Sequence, residues 1–166
     1  MDTGLIVGLV AAALVFMYFR VFSPRPEFPP LPTSPDDPLM VEARTKAKAT
    51  LGEFQALQEQ FPQSVLVKLR FVSSSDAVEY LWAEVKGRKS KYEYDVLLVT
   101  PPVTHTGHLD RRYVCTTEDI EDWQVRDADD RIHGGFTQRA MFQIARREGV
   151  KLPRKLRDVE RLYVDT

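Results

Sequence analysis

A chain of 166 residues, 43% of them apolar, with 23 basic and 24 acidic side chains, is too short for a TIM barrel or a two-domain dehydrogenase and long enough for one domain with its own core. Its single cysteine, Cys115, makes neither an intrachain disulfide nor a thiolate metal site, which excludes a disulfide scaffold and a zinc finger. The balanced charge carries no global signature of nucleic-acid binding, and no nucleic-acid partner is expected.

Sixteen of the twenty residues 3–22 are apolar, and Arg20 is the only charge among them. Twenty helical residues reach ~30 Å, the thickness of a bilayer's hydrocarbon core, and Arg20 lies close enough to the end to snorkel. Residues 1–22 therefore read as a transmembrane anchor, with the bilayer as partner through residues 3–22. A cleaved secretory signal is the rival, but it needs a basic start and a small-residue cleavage site. Here Asp2 stands in the first position and Ser23-Pro24-Arg25-Pro26 in the second, which favours an uncleaved anchor. The nearby cations, Arg20 and Arg25, lie on the C-terminal side, so the N-terminus is expected outside and the rest of the chain in the cytoplasm. Gly4, Gly8 and Ala12 share one helix face, a spacing that suits a homodimer; the plainer reading is that small residues are common in such helices.

Seven of the sixteen residues 23–38 are proline. Proline fixes φ and removes a donor, so this linker is expected to be extended polyproline II, up to ~50 Å long. Two loose Pro-x-x-Pro matches, from Pro26 to Pro29 and from Pro32 to Pro35, arise readily in any such spacer.

Residues 39–166 have the composition of a globular domain. Asp36 and Asp37 before Pro38 are ordered as an N-cap and a first-turn proline. Met40, Ala43, Ala47, Leu51, Phe54 and Phe61 then recur at helical spacing, which predicts one amphipathic helix of roughly 20 residues ending near Pro62. Alternation predicts strands over 64–72, 78–86 and 92–98, the second with Tyr80 and Trp82 on one face, joined by turns at 73–76 and 87–91. A fourth strand follows at 111–116 and a single helical turn at 117–122, capped by Thr116 or Thr117. Residues 123–126 and 131–133 flank a polar turn. Gly134-Gly135 leads into a helix at 137–148 closed by Gly149, and Leu152, Leu156, Val159 and Tyr163 mark a last amphipathic stretch. Turns this short favour antiparallel pairing. The fold class is α+β: one antiparallel sheet of about four to six strands flanked by an N-terminal helix and C-terminal helices, preceded by a single transmembrane helix.

Candidate chemistry is sparse. Gly134 and Gly135 before a helix start, with Thr137 and Arg139 in its first turn, present the elements of an anion site; the plainer reading is a hinge where a side chain would clash. His105, His108 and Asp110 supply three weak candidate metal ligands on a predicted loop, at a spacing that matches no defined motif. Cys115 in an apolar strand reads as a small buried hydrophobe. No cofactor is expected. Residues 118–130 hold seven acidic side chains against Arg126, whereas 139–161 hold eight basic against three acidic ones. The basic stretch suits an anionic membrane surface, but an extended spacer would hold it beyond the reach of that potential. Solvated faces or an intradomain complement are favoured.

Ile120-Glu121-Asp122-Trp123, followed by Gly134-Gly135-Phe136-Thr137-Gln138-Arg139, resembles the signature of a bacterial family of unknown function numbered 2314, the YegJ-like proteins. The helix around 43–54, the strand 65–71 and Glu79-Tyr80-Leu81-Trp82 resemble its earlier blocks, so the likeness covers about residues 43–142. It implies an intact fold and brings no catalytic residues. The resulting expectation is a single-pass, membrane-anchored, non-catalytic interaction or accessory module with an unknown protein partner. The alternative is an anion- or nucleotide-binding enzyme or sensor using the Gly134-Gly135 helix start, and a helix start buried under Phe136 and Trp123 would speak against it.

Overall fold

Asp37 opens the first described helix, and it does so in a computed structural model that describes residues 33–72, 76–100 and 112–164. Its carboxylate accepts the Leu39 N–H at 3.0 Å, and Pro38 occupies the first helical turn, where no N–H is needed. The last residues of the proline-rich stretch, 35–37, form the turn that leads into this helix. The apolar segment 3–22 and most of the linker lie outside the described residues. Among the described residues, no helix is long and apolar enough to cross a membrane.

The predicted twenty-residue helix is two helices: α1 (Pro38–Ala49) and α2 (Leu51–Gln60). Thr50 leaves helical geometry at φ −103° and ψ 17°, and its hydroxyl bonds back to the Lys46 carbonyl at 2.9 Å. A β-branched residue whose hydroxyl competes for backbone partners breaks a helix in this way. The apolar face survives the break, because Met40, Ala43, Ala47 and Phe54 are all buried in one core.

Among the described residues six strands follow: β1 (Val65–Val72), β2 (Val78–Arg88), β3 (Glu93–Leu98), β4 (Arg112–Thr116), β5 (Ile120–Arg126) and β6 (Ile132–Gly134). They form one sheet in the order β4-β3-β2-β1-β5-β6, antiparallel at each pairing. Two boundaries differ from the sequence expectation. β2 runs on through Gly87 and Arg88 by means of a bulge after Val85, so the polar turn is shorter. The predicted helical turn shrinks to a 3-10 turn at Thr117–Asp119, where Asp119 accepts both the N–H and the hydroxyl of Thr116. Ile120 onward is strand because burial of Ile120 and Trp123 on β1 outweighs the polar local sequence.

The link from β4 to β5 requires a curved sheet. Four Cα steps from Thr116 to Ile120 span at most about 15 Å. Four strand spacings in a flat sheet would need roughly 19 Å. The sheet curls accordingly: Phe71 of β1 and Tyr113 of β4 meet with ring centroids 5.3 Å apart although two strands lie between them. The concave face carries the core. Phe54 fills it, 5.6 Å from the Tyr94 ring and 5.7 Å from the Trp123 ring, and the Trp123 indole N–H donates to the Ala47 carbonyl at 3.2 Å.

Two helices complete the domain, α3 (Phe136–Arg147) and α4 (Arg154–Glu160). Gly149, at φ +69°, ends α3 as predicted, with the Val150 N–H returning to the Ala145 carbonyl at 2.8 Å. The final residues lie along β6: Ile132 and Tyr163 form a parallel bridge, held by Ile132 N–H to Leu162 O at 2.8 Å and Val164 N–H to Ile132 O at 3.0 Å.

Candidate functional site

The helix start singled out by sequence is delivered by the β5–β6 hairpin. The chain leaves β6 through Gly134 and Gly135, both left-handed at φ +74° and +65°. A Cβ on Gly134 would stand 2.3 Å from the Trp123 carbonyl oxygen, and one on Gly135 2.4 Å from the Tyr163 ring. Both glycines are therefore places where backbone meets side chain or backbone with no room between.

Gly135 is the N-cap of α3 and has no side chain to satisfy the first N–H groups of the helix. Asp122 on β5 does this instead. Its Oδ1 accepts the N–H of Phe136 at 3.2 Å and of Trp123 at 2.8 Å. Its Oδ2 accepts the Thr137 N–H at 2.7 Å and the Thr137 hydroxyl at 2.5 Å. The chain's own carboxylate thus fills the place at this helix start that an external anion would take. Phe136 and Trp123 bury the region, the ring of one meeting the other at 5.8 Å.

A cation completes the arrangement. Lys68 lies opposite Asp122 across β1 and β5, and its Nζ donates to the Thr137 hydroxyl at 2.9 Å while resting 5.1 Å from the centre of the Trp82 ring. Burial pulls the Lys68 ammonium below its usual range, the Asp122 charge opposing and Arg44 adding to the shift. Burial likewise pushes the Asp122 carboxyl up, against Lys68 and its hydrogen-bond donors. A Lys–Thr–Asp chain resembles an activated hydroxyl on paper. Thr137 is only 1% exposed, however, and its hydroxyl donates to Asp122. Arg139 turns away to the Val164 carbonyl at 3.2 Å, tying α3 to the C-terminal segment. Of the four predicted positions, two are hinge, one is an internal bridge and one is a clasp.

Sequence reasoning missed Asp122 and Lys68 as partners. Alternation over 64–72 sets Lys68 on the face opposite Val67 and Leu69, and Asp122 falls at the end of the predicted helical turn 117–122. Their pairing depends on strand register, which no local pattern encodes.

Other candidates resolve similarly. His105, His108 and Asp110 lie outside the described residues, and among the described residues no group of three or more His, Cys, Asp or Glu is placed to hold a metal. Cys115 is buried, which pushes its thiol up to about 12. The acidic run is only partly neutralised locally: Asp127 accepts Arg131 at 3.2 Å and contacts His133 Nε2 at 3.0 Å, and Asp130 pairs with Arg126 at 2.7 Å, whereas Glu121 pairs with Lys48 at 2.9 Å. In the basic run, Arg146, Arg147 and Arg154 pair with Glu160, with Asp37 and Glu148, and with Asp158. A cleft of about 260 Å³ is lined by Gln63, Ser64, Leu66, Glu84, Gln124 and Arg126 among others, and of these Glu84, Gln124 and Arg126 already have partners in Lys86, Tyr163 and Asp130.

The sheet's outer face is different. Arg70 pairs across strands with Tyr80, and Lys68 with Trp82. No side chain of this face belongs to the hydrophobic core. Tyr80 and Trp82 are half-buried, the Arg44 guanidinium stands 5.8 Å from the Tyr80 ring centre, and Arg70 is exposed without an ion-pair partner among the described residues. Val72 and Val78, paired at the end of the same two strands, are 49% and 42% exposed.

Residues 37–150 match the family model described as an uncharacterized protein conserved in bacteria, DUF2314. The chain belongs to that family. The matched span begins at the Asp37 cap and ends just beyond the Gly149 stop of α3. It extends the resemblance seen in the sequence at both ends. No curated protein and no solved structure matches the chain. The DUF2314 region contains Lys68, Asp122, Gly134, Gly135 and Thr137, whereas α4 and Tyr163 lie beyond it.

Proposed function

We propose that the DUF2314 domain of this chain is a non-catalytic interaction module, tethered to a membrane through residues 3–22, spaced from it by the proline-rich linker, and working on the cytoplasmic side. The observation that carries the module reading is the outer sheet face, where Tyr80, Trp82, Val72 and Val78 stand beside Arg70, which is exposed and has no ion-pair partner among the described residues. Aromatic residues with an adjacent arginine are the composition of protein-binding hot spots. The filled helix start supports the same reading, because Asp122 takes the N–H groups that an anion-binding enzyme or sensor would keep free. The anchor rests on the apolar run of 3–22, and the orientation on Arg20 and Arg25.

Capture of the full chain in mild detergent tests the module. A protein recovered with the wild type and lost with an Arg70→Glu variant of unchanged Tm is the expected result, since Arg70 is exposed. A protein recovered equally with both moves binding off this face. Inorganic phosphate that raises Tm in the wild type and not in an Arg139→Ala variant would instead favour the anion-binding alternative. Membranes washed in alkaline carbonate should retain the chain, and its release would defeat the anchor. For orientation, Val41→Cys supplies an accessible thiol in place of the buried Cys115. Labelling of that thiol in intact cells by an impermeant reagent would reverse the cytoplasmic assignment.

A further inference from the structure

Beyond residue 150, where the family match ends, cations gather on an outward surface. Leu156 of α4 and Leu152 before it are buried, so the charged residues around them are turned to water. Lys151, Arg154, Lys155, Arg157 and Arg161 are all exposed, and Arg154, Arg157 and Arg161 stand at i, i+3 and i+7, the spacing of one helical stripe. Two acids accompany these five cations. Asp158 is shared between Arg154 at 3.8 Å and Arg161 at 3.6 Å, and Glu160 is taken by Arg146 of α3. Lys151, Lys155 and Arg157 have no ion-pair partner among the described residues. The position of this surface matters as much as its charge. Arg147, at the end of α3, pairs at 2.5 Å with Asp37, the residue through which the linker enters the domain. Lys151 follows Arg147 by four Cα steps, at most about 15 Å of chain. The cations therefore begin at the end of the domain to which the linker is attached.

We infer that this cationic surface docks on the anionic headgroups of the bilayer, an inference that rests on the anchor proposed above for residues 3–22. Charge and composition select that occupant. Protein interfaces place aromatic residues at their centres, and residues 151–161 expose no large apolar or aromatic side chain. A charged leaflet needs only cations that reach it, each strengthening attachment by roughly fivefold. The linker fixes the greatest height of the domain above the bilayer, up to ~50 Å, and not the least: a spacer inclined toward the surface brings the Asp37 end of the domain down to the headgroups. The tether keeps the surface at high effective concentration, so an attraction too weak to recruit a free domain suffices to hold this one. Because the potential of the leaflet fades within ~8 Å, the docked state is one of contact and is sensitive to salt.

The test uses the full chain reconstituted in vesicles of phosphatidylcholine, alone or mixed with phosphatidylserine. A fluorophore on Val150→Cys, exposed beside the cations while the native Cys115 is buried, reports energy transfer to acceptor-labelled headgroups. Transfer should be higher in the phosphatidylserine vesicles and should fall to the neutral value as salt is raised. The triple variant Lys151→Gln, Lys155→Gln and Arg157→Gln breaks no ion pair among the described residues. It should shift the domain off the surface by about tenfold or more with Tm unchanged. Arg154→Gln with Arg161→Gln should give a second loss of transfer. Equal transfer in the two kinds of vesicle, the result expected if the cations serve an acidic protein, overturns the inference, and so does a triple variant that docks like the wild type. A chain that washes out of neutral vesicles in alkaline carbonate defeats the anchor and this inference with it, whereas a chain that stays in both kinds with equal transfer defeats the docking alone.

Discussion

Thr137 and Asp122 meet twice, with the Thr137 backbone N–H at 2.7 Å and its hydroxyl at 2.5 Å from the same carboxylate oxygen. A residue fifteen positions upstream, on a strand, thereby performs the capping that Gly135 cannot. With Lys68 on the far side of the hydroxyl, the three side chains join β1, β5 and α3 at a buried point. Such a cluster is costly to desolvate and more costly to break by halves.

Asp122→Ala is expected to lower the unfolding free energy by about 3–5 kcal/mol, because it strands Lys68 and orphans two helix N–H groups together. The double variant Asp122→Ala with Lys68→Met should be less destabilised than the sum of the two singles, since the second change removes the uncompensated cation. Urea denaturation of the four-member cycle measures both.

Gly134 and Gly149 have similar left-handed backbones, at φ +74° and +69°, but different surroundings. A Cβ on Gly149 meets nothing within 4 Å, whereas one on Gly134 strikes the Trp123 carbonyl and ring. Gly149→Ala should therefore cost about 1–2 kcal/mol, the strain of the left-handed backbone alone. Gly134→Ala should cost clearly more or prevent folding. Thermal melts of the two variants side by side give the comparison.

Asp127 provides a pH test. His133, Arg131 and two backbone N–H groups hold its carboxyl down at about 2, below the ordinary 3.8. The unfolded chain takes up this proton first on acidification. The stabilisation is complete above the unfolded value and is lost as pH falls through about 2. The Tm advantage of the wild type over Asp127→Asn should accordingly be constant near neutral pH and shrink between about pH 4 and pH 2. An advantage that persists unchanged at about pH 2 would contradict this account.

Cys115 is 4% exposed with its thiol raised to about 12, so little thiolate forms near neutral pH. Iodoacetamide should label it orders of magnitude more slowly in the native chain than in urea. Fast native labelling would mean that β4 opens readily.

Periodicity predicted most elements correctly because each has an amphipathic face: the Asp37 cap, the strand alternation of β1 to β3, the Gly149 stop and the helix after Gly134-Gly135 are all local signals. It failed at Thr50, where the break leaves the apolar face continuous, and at Ile120-Glu121-Asp122, where burial against β1 made a strand of a polar stretch. The candidate helix start was found, but its occupant was not.

The sequence by itself determined the α+β class, the family, and the partition of an apolar segment and a proline-rich stretch from the domain, because composition and spacing act along the chain. Only the tertiary structure decided that the helix start is closed by Asp122 rather than open to a ligand. That outcome depends on β1 and β5 pairing in the register that sets Lys68 opposite Asp122, a contact between residues distant in sequence whose desolvation and hydrogen bonding exist only once the sheet has formed.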